Sequence, residues 1–341
     1  MVTATLDPVV TGTGTVTDEQ PRELDPGNPT GDRVFFSAAH GIGGLVLAIF
    51  GSIGLFLGYQ SIPTLKRYGL SFFTESQWQP ELNHIGISSV ILGTITVAAI
   101  ALVVSFPLAT LTALYISEYA PRWLKSSLIA MIDLMAAVPS IIYGLWGFFL
   151  LQPHASKVAR WLHQNLGFLP FFKVNTDPNA AVWAQSRYYA SAFIAGLVVA
   201  MMVLPIACSV MRGVFMQAPI GEKEGAYALG ATRWGVIRSV VLPFGRGGII
   251  GGTMLGLGRA LGETIAVLLI ISPAFDVKFK PLEVGTETVA ALIAGRFGES
   301  TKVQLSALLC AGFVLFLMTL VVNMLAAIIV SRSRSGAATE I

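Results

Sequence analysis

Six apolar runs, each long enough to cross a hydrocarbon layer, constrain this chain more than any other feature: residues 34–62, 87–115, 128–151, 188–211, 247–271 and 303–330. A helix needs about 20 mostly apolar residues for such a crossing, and only helices and closed barrels satisfy their own backbone polar groups there. The expected fold class is an all-α membrane protein with six transmembrane helices. The 12% of charged residues and the mean hydropathy of +0.71 agree, since an average soluble domain carries about 25% charge. The net charge of +3 is small and scattered, and no basic block interleaved with aromatics occurs, which argues against a nucleic-acid surface. Cys208 and Cys310 both fall inside apolar runs, where a thiol packs as a small hydrophobe and gives neither a disulfide framework nor a metal spacing.

Residues 1–33 are rich in Thr, Pro, Gly and acidic side chains and read as a disordered tail. They lack the basic start and cleavage site of a signal peptide, so the first run is expected to stay in the chain. An even number of spans puts both termini on one side. Basic residues are almost evenly divided between the two sides, although Arg122, Lys125, Arg332 and Arg334 sit close to span ends and favour termini inside. Pro107, Pro139, Pro205 and Pro243 lie in or next to spans and are expected to kink helices around a cavity. The outer loop 152–187 offers an amphipathic helix with Val158, Trp161 and Leu162 on one side. Asp133 reads as a favourable charge at a helix N-terminus, and His40 as interfacial.

A long loop of mixed charge, 212–246, separates the fourth and fifth spans. Within it, 223–229 reads as a short helix stopped by Gly230, followed by a second amphipathic stretch with Trp234, Val236, Ile237, Val240 and Val241. This describes a helix-turn-helix along the membrane face, able to dock into a partner's groove. Glu224, Gly225, Ala226 and Gly230, with Val240, Leu242 and Pro243, resemble in fixed register the EAA loop of bacterial ABC importer permeases. Gly225 stands for the usual middle Ala and Val240 for the usual Ile. The resemblance implies a MetI-like permease fold whose loop seats in a cytoplasmic nucleotide-binding subunit. The chain has no Gly-x-x-x-x-Gly-Lys-Ser/Thr phosphate loop, so it is not itself the ATPase.

The fifth run contains Arg259 and Glu263 in the stretch Leu257-Gly258-Arg259-Ala260-Leu261-Gly262-Glu263-Thr264. An arginine at mid-span costs about 2.5 to 3.5 kcal/mol on insertion scales and is expected to face a cavity or partner. Four residues apart on one helix, the two side chains are expected to pair at rest. A guanidinium fork suits an oxyanion, and a carboxylate accepts a proton from a ligand that still has one; phosphate near neutral pH carries both features. The surrounding glycines, Gly247, Gly248, Gly251, Gly252, Gly256, Gly258 and Gly262, form small-xxx-small pairs that let another span pack closely.

This segment, with 136–147 and the stretches Asp32-Arg33-Val34-Phe35 and Leu169-Pro170-Phe171-Phe172, resembles the phosphate-specific ABC permeases of the PstC and PstA type, PstC more than PstA, over about residues 32 to 330. The resemblance implies a permease of the bacterial inner membrane, multi-pass with cytoplasmic termini, moving inorganic phosphate by alternating access. It implies three partners: a PstA-like second permease, a nucleotide-binding ATPase dimer that holds ATP and Mg, and an extracytoplasmic phosphate-binding protein. No cofactor is expected in this chain. Arg259 and Glu263 are then expected to line the substrate pathway, and Glu224, Gly225, Ala226, Gly230, Leu242 and Pro243 to couple to the ATPase. The residues alone leave open another oxyanion, a gradient-driven secondary transporter or channel, and a scaffold subunit without a pathway.

Overall fold

The computed structural model describes residues 29–174, 185–277 and 279–332. Most of the two tails, 1–33 and 331–341, and part of the outer loop 152–187 lie outside them. The chain divides into two compact units, one ending at Ile53 and one beginning at Gly54. Helix α1 runs Pro29–Tyr68, starting five residues before the apolar run with Asp32 in its first turn, where an acid favours the helix dipole. In the first unit every described side chain from Thr30 to Ile53 is exposed.

In the second unit a short helix, α2 (Ser71–Thr74), and a two-stranded hairpin of β1 (Trp78–Gln79) and β2 (His84–Ile85) lead to α3 (Ser88–Leu114). A π turn at Tyr115–Tyr119 extends α3. Next come α4 (Arg122–Ala137), α5 (Ser140–Trp146), a second π turn at Gly147–Leu151 and α6 (Gln152–Leu166). After these follow α7 (Ala192–Phe215), α8 (Ile220–Ala228), α9 (Arg233–Val236), a third π turn at Ile237–Val241 and α10 (Leu242–Leu261). The chain closes with α11 (Ile265–Ile270), α12 (Val289–Arg296) and α13 (Lys302–Arg332).

Among the described residues, five helices are long and apolar enough to cross a membrane, or six if the bent pair Arg122–Ala137 and Ser140–Leu166 counts as one span. The third apolar run is therefore not a single straight helix. It turns by 92° at Val138-Pro139, because Pro139 cannot continue the hydrogen-bond ladder and pushes its predecessor out of the helical region. Pro107 and Pro205 stay inside α3 and α7. Pro243 opens α10 directly after the π turn.

Helix α7 is the centre of this unit, packed against α3 and α10. Ile194, Val198, Val199, Met202 and Val203 are at most 2% exposed. Such residues contribute about 1.5–3 kcal/mol each on burial from water, although in a bilayer close packing replaces much of that gain. The glycine pairs of the fifth run provide the packing: a Cβ on Gly256 would stand 2.5 Å from Val203 Cγ1, and one on Gly252 would stand 3.0 Å from the Ala207 carbonyl oxygen. The neighbouring span is therefore α7 of the same chain. At the far end from α8, the carbonyl oxygen of Glu287 would lie 2.0 Å from a Cβ on Gly93, so the segment leading into α12 seats directly on α3.

The amphipathic helix of the outer loop exists as α6. Gln152, Ala155, Ser156 and Ala159 are buried, while Val158 and Trp161 are 50% and 58% exposed. Small side chains permit the close approach, while Leu162 is half-buried against the cluster of Ala159, Val174, Tyr188 and Leu282. Asp133 lies in the later part of α4, not at its N-terminus, and faces Arg212 at 3.7 Å. The His40 ring stacks near Phe36 and its Nδ1 lies 2.9 Å from the Phe36 carbonyl oxygen.

Candidate functional site

Arg259 and Glu263 are not a pair. Helix α10 ends at Leu261, and Gly262, Glu263 and Thr264 form a break before α11 begins at Ile265. A four-residue spacing places two side chains on one face only if the helix runs through both, and here it does not. Glu263 is 8% exposed, and its Oε1 accepts a hydrogen bond from the backbone N–H of Ala266 at 3.3 Å. The carboxylate thus satisfies one of the orphan donors at the start of α11, where negative charge is also favoured by the helix dipole. Arg259 is exposed, and no ion pair or hydrogen bond of its side chain occurs among the described residues.

The second broken span meets this one. A Cβ on Gly144 of α5 would stand 2.9 Å from Ala266 Cα of α11, so the two half-helices touch backbone to backbone. Tyr143 donates its hydroxyl proton to the carbonyl oxygen of Met135 at 2.8 Å across the Val138-Pro139 turn, and its phenolic oxygen lies within electrostatic reach of Arg259. The sequence reading did not single out Tyr143. Apolar side chains beside these breaks are uncovered: Leu255, Ile265, Ile141, Ile142 and Leu145 are 44–52% exposed. Irregular backbone at membrane depth is tolerated where it is buried in protein or lines a cavity, and broken helices are where membrane transporters place substrates. The geometry joins a lone guanidinium to two helix breaks on a face that this chain leaves open.

The other candidate residues lie at the loop end of the same helix. Helix α8 carries Glu224, Gly225 and Ala226 and buries none of its residues. It stops at Gly230, whose φ of +84° is left-handed. The N–H of Gly230 donates to the Tyr227 carbonyl oxygen at 2.9 Å and that of Ala231 to Ala226 at 3.1 Å, a Schellman ending that glycine adopts without a Cβ penalty. Thr232 then starts α9, its Oγ1 accepting from the N–H of Gly235 at 3.2 Å. The second amphipathic stretch is not a separate helix along the membrane face. Residues 233–261 form one continuous 29-residue span through the π turn, with Val236, Ile237 and Val241 buried. Ile237 and Val241 pack in a cluster with Met211, Phe215 and Ile116. The π turn gives Pro243 room, because the ring of a proline clashes with the carbonyl four residues earlier in a regular α-helix. Ile220, Tyr227 and Leu229 are 72%, 48% and 91% exposed, a set of apolar side chains projecting from α8 and its end.

A polytopic helical chain with broken spans, an uncovered cation in the last turn of a long apolar helix and a projecting loop helix has the architecture of a membrane permease subunit. A family profile described as "Binding-protein-dependent transport system inner membrane component" matches residues 105–335. The chain belongs to that family of inner-membrane transport components, and its several long apolar helices agree with a multi-pass protein. It is 40% identical over 297 residues to phosphate transport system permease protein PstC 2 of Mycobacterium tuberculosis, covering 86% of this chain and 90% of that protein. It is 42% identical over 270 residues to PstC of Xylella fastidiosa strain 9a5c, covering 79% and 81%. For PstC of Haemophilus influenzae the values are 39% over 292 residues, 84% and 89%. Among solved structures, a bacterial alginate ABC transporter in complex with alginate pentasaccharide-bound periplasmic protein shares the fold at a TM-score of 0.56 with 16% identity, covering 90% of this chain and 98% of that one.

Proposed function

We propose that this chain is the permease subunit of an ATP-driven importer of inorganic phosphate, and that it forms one half of the pathway. The observation that carries this reading is the isolated Arg259 guanidinium, exposed beside the Gly262–Thr264 break on a face the chain does not cover. A fixed cation within the apolar run 247–271 is costly unless an anion or a cavity receives it, and a guanidinium fork matches a phosphate oxygen pair. The similarity to phosphate transport system permeases supports phosphate over other oxyanions.

In this reading a second, PstA-like permease closes the open face around Arg259, and an extracytoplasmic phosphate-binding protein delivers the anion. A dimeric ATPase holding ATP and Mg receives α8, with Glu224, Gly225, Ala226 and Gly230 forming the docking element and Leu242 and Pro243 the start of the driven span. The loop 212–246 and both termini then face the cytoplasm, with residues 1–33 and 331–341 as tails and 34–330 as the permease domain. Alternating access follows from the covalent run of 233–261, which carries any displacement of the docking element to Arg259. Glu263 serves as a positioning residue, holding α11 at the break instead of neutralising Arg259.

The test is phosphate uptake into proteoliposomes bearing the four-component assembly. ATP-dependent uptake that requires Arg259 supports the reading; uptake by this chain reconstituted alone, without an ATPase, contradicts it.

A further inference from the structure

Helix α8 is tied to the rest of the fold at two points. One is its own chain, through the Gly230 ending and the Thr232 cap into α9 and α10. The other is an ion pair: Lys223 Nζ donates to Glu118 Oε1 at 2.7 Å, across 105 residues of sequence. The two side chains are 18% and 15% exposed, so salt screens the contact less than a fully solvated pair. Among the described residues it is the one ion pair or side-chain hydrogen bond that α8 makes with another element. No residue of α8 is fully buried, and apart from this pair α8 lies against α9 and the π turn Ile237–Val241.

Glu118 stands in the π turn Tyr115–Tyr119 that ends α3. Its counterpart, Ile237–Val241, opens α10. Single π turns inside α-helices break the regular ladder and recur at functional sites. The docking helix thus meets two spans, each through a π turn, and both spans pack on α7. The far end of α3 carries Gly93, on which Glu287 and the start of α12 are seated.

We propose that the Lys223–Glu118 ion pair is a second force-transmitting strut, through which the docking helix moves α3 together with α10. The inference rests on the proposed role of α8 as the ATPase-docking element. With the strut intact, a displacement of α8 acts on both flanks of α7 at once. With it broken, the displacement reaches α10 alone and the end of the fold carrying α12 is left behind. Lys223 and Glu118 are positioning residues in this scheme; neither touches the transported anion.

The experiment uses the complete importer in proteoliposomes, with phosphate as substrate and its binding protein supplied. Uptake per ATP hydrolysed and the amount of co-purifying ATPase are measured for Glu118→Gln, Lys223→Gln and the exchange Glu118→Lys with Lys223→Glu. Glu118→Gln is the cleanest variant, because it leaves the projecting surface of α8 untouched. Each single variant should lower uptake per ATP by roughly threefold or more, the scale a partly buried ion pair supports, while the ATPase still co-purifies. The exchange should recover most of the loss, as expected when the pair and not either charge alone matters. Wild-type stoichiometry in both single variants would overturn the strut, as would an exchange no better than the singles. Loss of the ATPase from Glu118→Gln would also overturn it, by making the pair a requirement for docking. A wild-type complex without ATP-driven uptake would instead remove the importer reading on which the inference rests, so the two failures are distinguishable.

Discussion

Glu263 accepts a hydrogen bond from the backbone N–H of Ala266 at 3.3 Å, and that contact separates it from Arg259. One carboxylate and one guanidinium, four residues apart in sequence, have different work: the first caps a half-helix, the second stands uncovered at a break. The proposed anion pathway therefore depends on Arg259 for charge and on Glu263 for shape.

Substitutions at Glu263 should reflect a cap. Glu263→Gln keeps an oxygen acceptor for the Ala266 N–H and should retain most phosphate uptake. Glu263→Ala removes it and should cost about 1 kcal/mol of stability, read as a lower thermal midpoint in detergent together with weaker uptake. Equal loss in both variants would mean that the negative charge itself is required.

Gly230 has a left-handed φ of +84° and nothing within 4 Å of where a Cβ would be. Gly230→Ala therefore meets no clash and should cost only the backbone penalty, about 1 kcal/mol, spent on the ending of α8. The expected result is less co-purifying ATPase with the spans still folded; unchanged ATPase recovery would show that the shape of this turn is not what docks.

The packing of α10 on α7 can be tested by contrast. Gly256→Val places side-chain atoms where Val203 already stands and should destabilise by about 1–3 kcal/mol. Gly251→Ala, whose nearest neighbour beyond its own helix would be Val330 at 3.9 Å, should be close to neutral. Thermal unfolding of the two purified variants in detergent gives the comparison.

Burial raises the Glu287 carboxyl from 4.5 to about 7, outweighing the Thr288 N–H bond and the Arg296 charge that pull it down. The folded state then holds the proton more tightly than the unfolded one. Stability from this group is complete below about pH 4.5 and declines as pH rises towards 7, by on the order of 3 kcal/mol for full ionisation. Glu287→Gln should flatten the decline between pH 5 and pH 8 and be the more stable protein at pH 8. An identical pH dependence in wild type and variant would contradict this.

Much of the fold was legible in the sequence because span length is a composition property. The apolar run of α7 and the glycine rows of α10 could be read directly, and Pro139 marked where the third run bends. The Gly230 stop was legible too, since a glycine after a short helix has a physical reason to be there. The break at Gly262–Thr264 was not, because the apolar run continues to Ile271 and a four-residue spacing says nothing about whether the helix between is intact. The π turn before Pro243 merges the loop's second amphipathic stretch into α10, which periodicity alone does not reveal. Lys223 and Glu118 were invisible as partners, since no local pattern links residues 105 positions apart.

The most direct measurement of the central claim is ATP-dependent uptake of radiolabelled phosphate by the complete reconstituted importer, wild type against Arg259→Ala. Loss of an uncovered cation from the pathway should reduce uptake by tenfold or more, a difference of about 1.4 kcal/mol, with subunit composition unchanged. Wild-type uptake by Arg259→Ala would contradict the account, because no anion pathway could then depend on that residue.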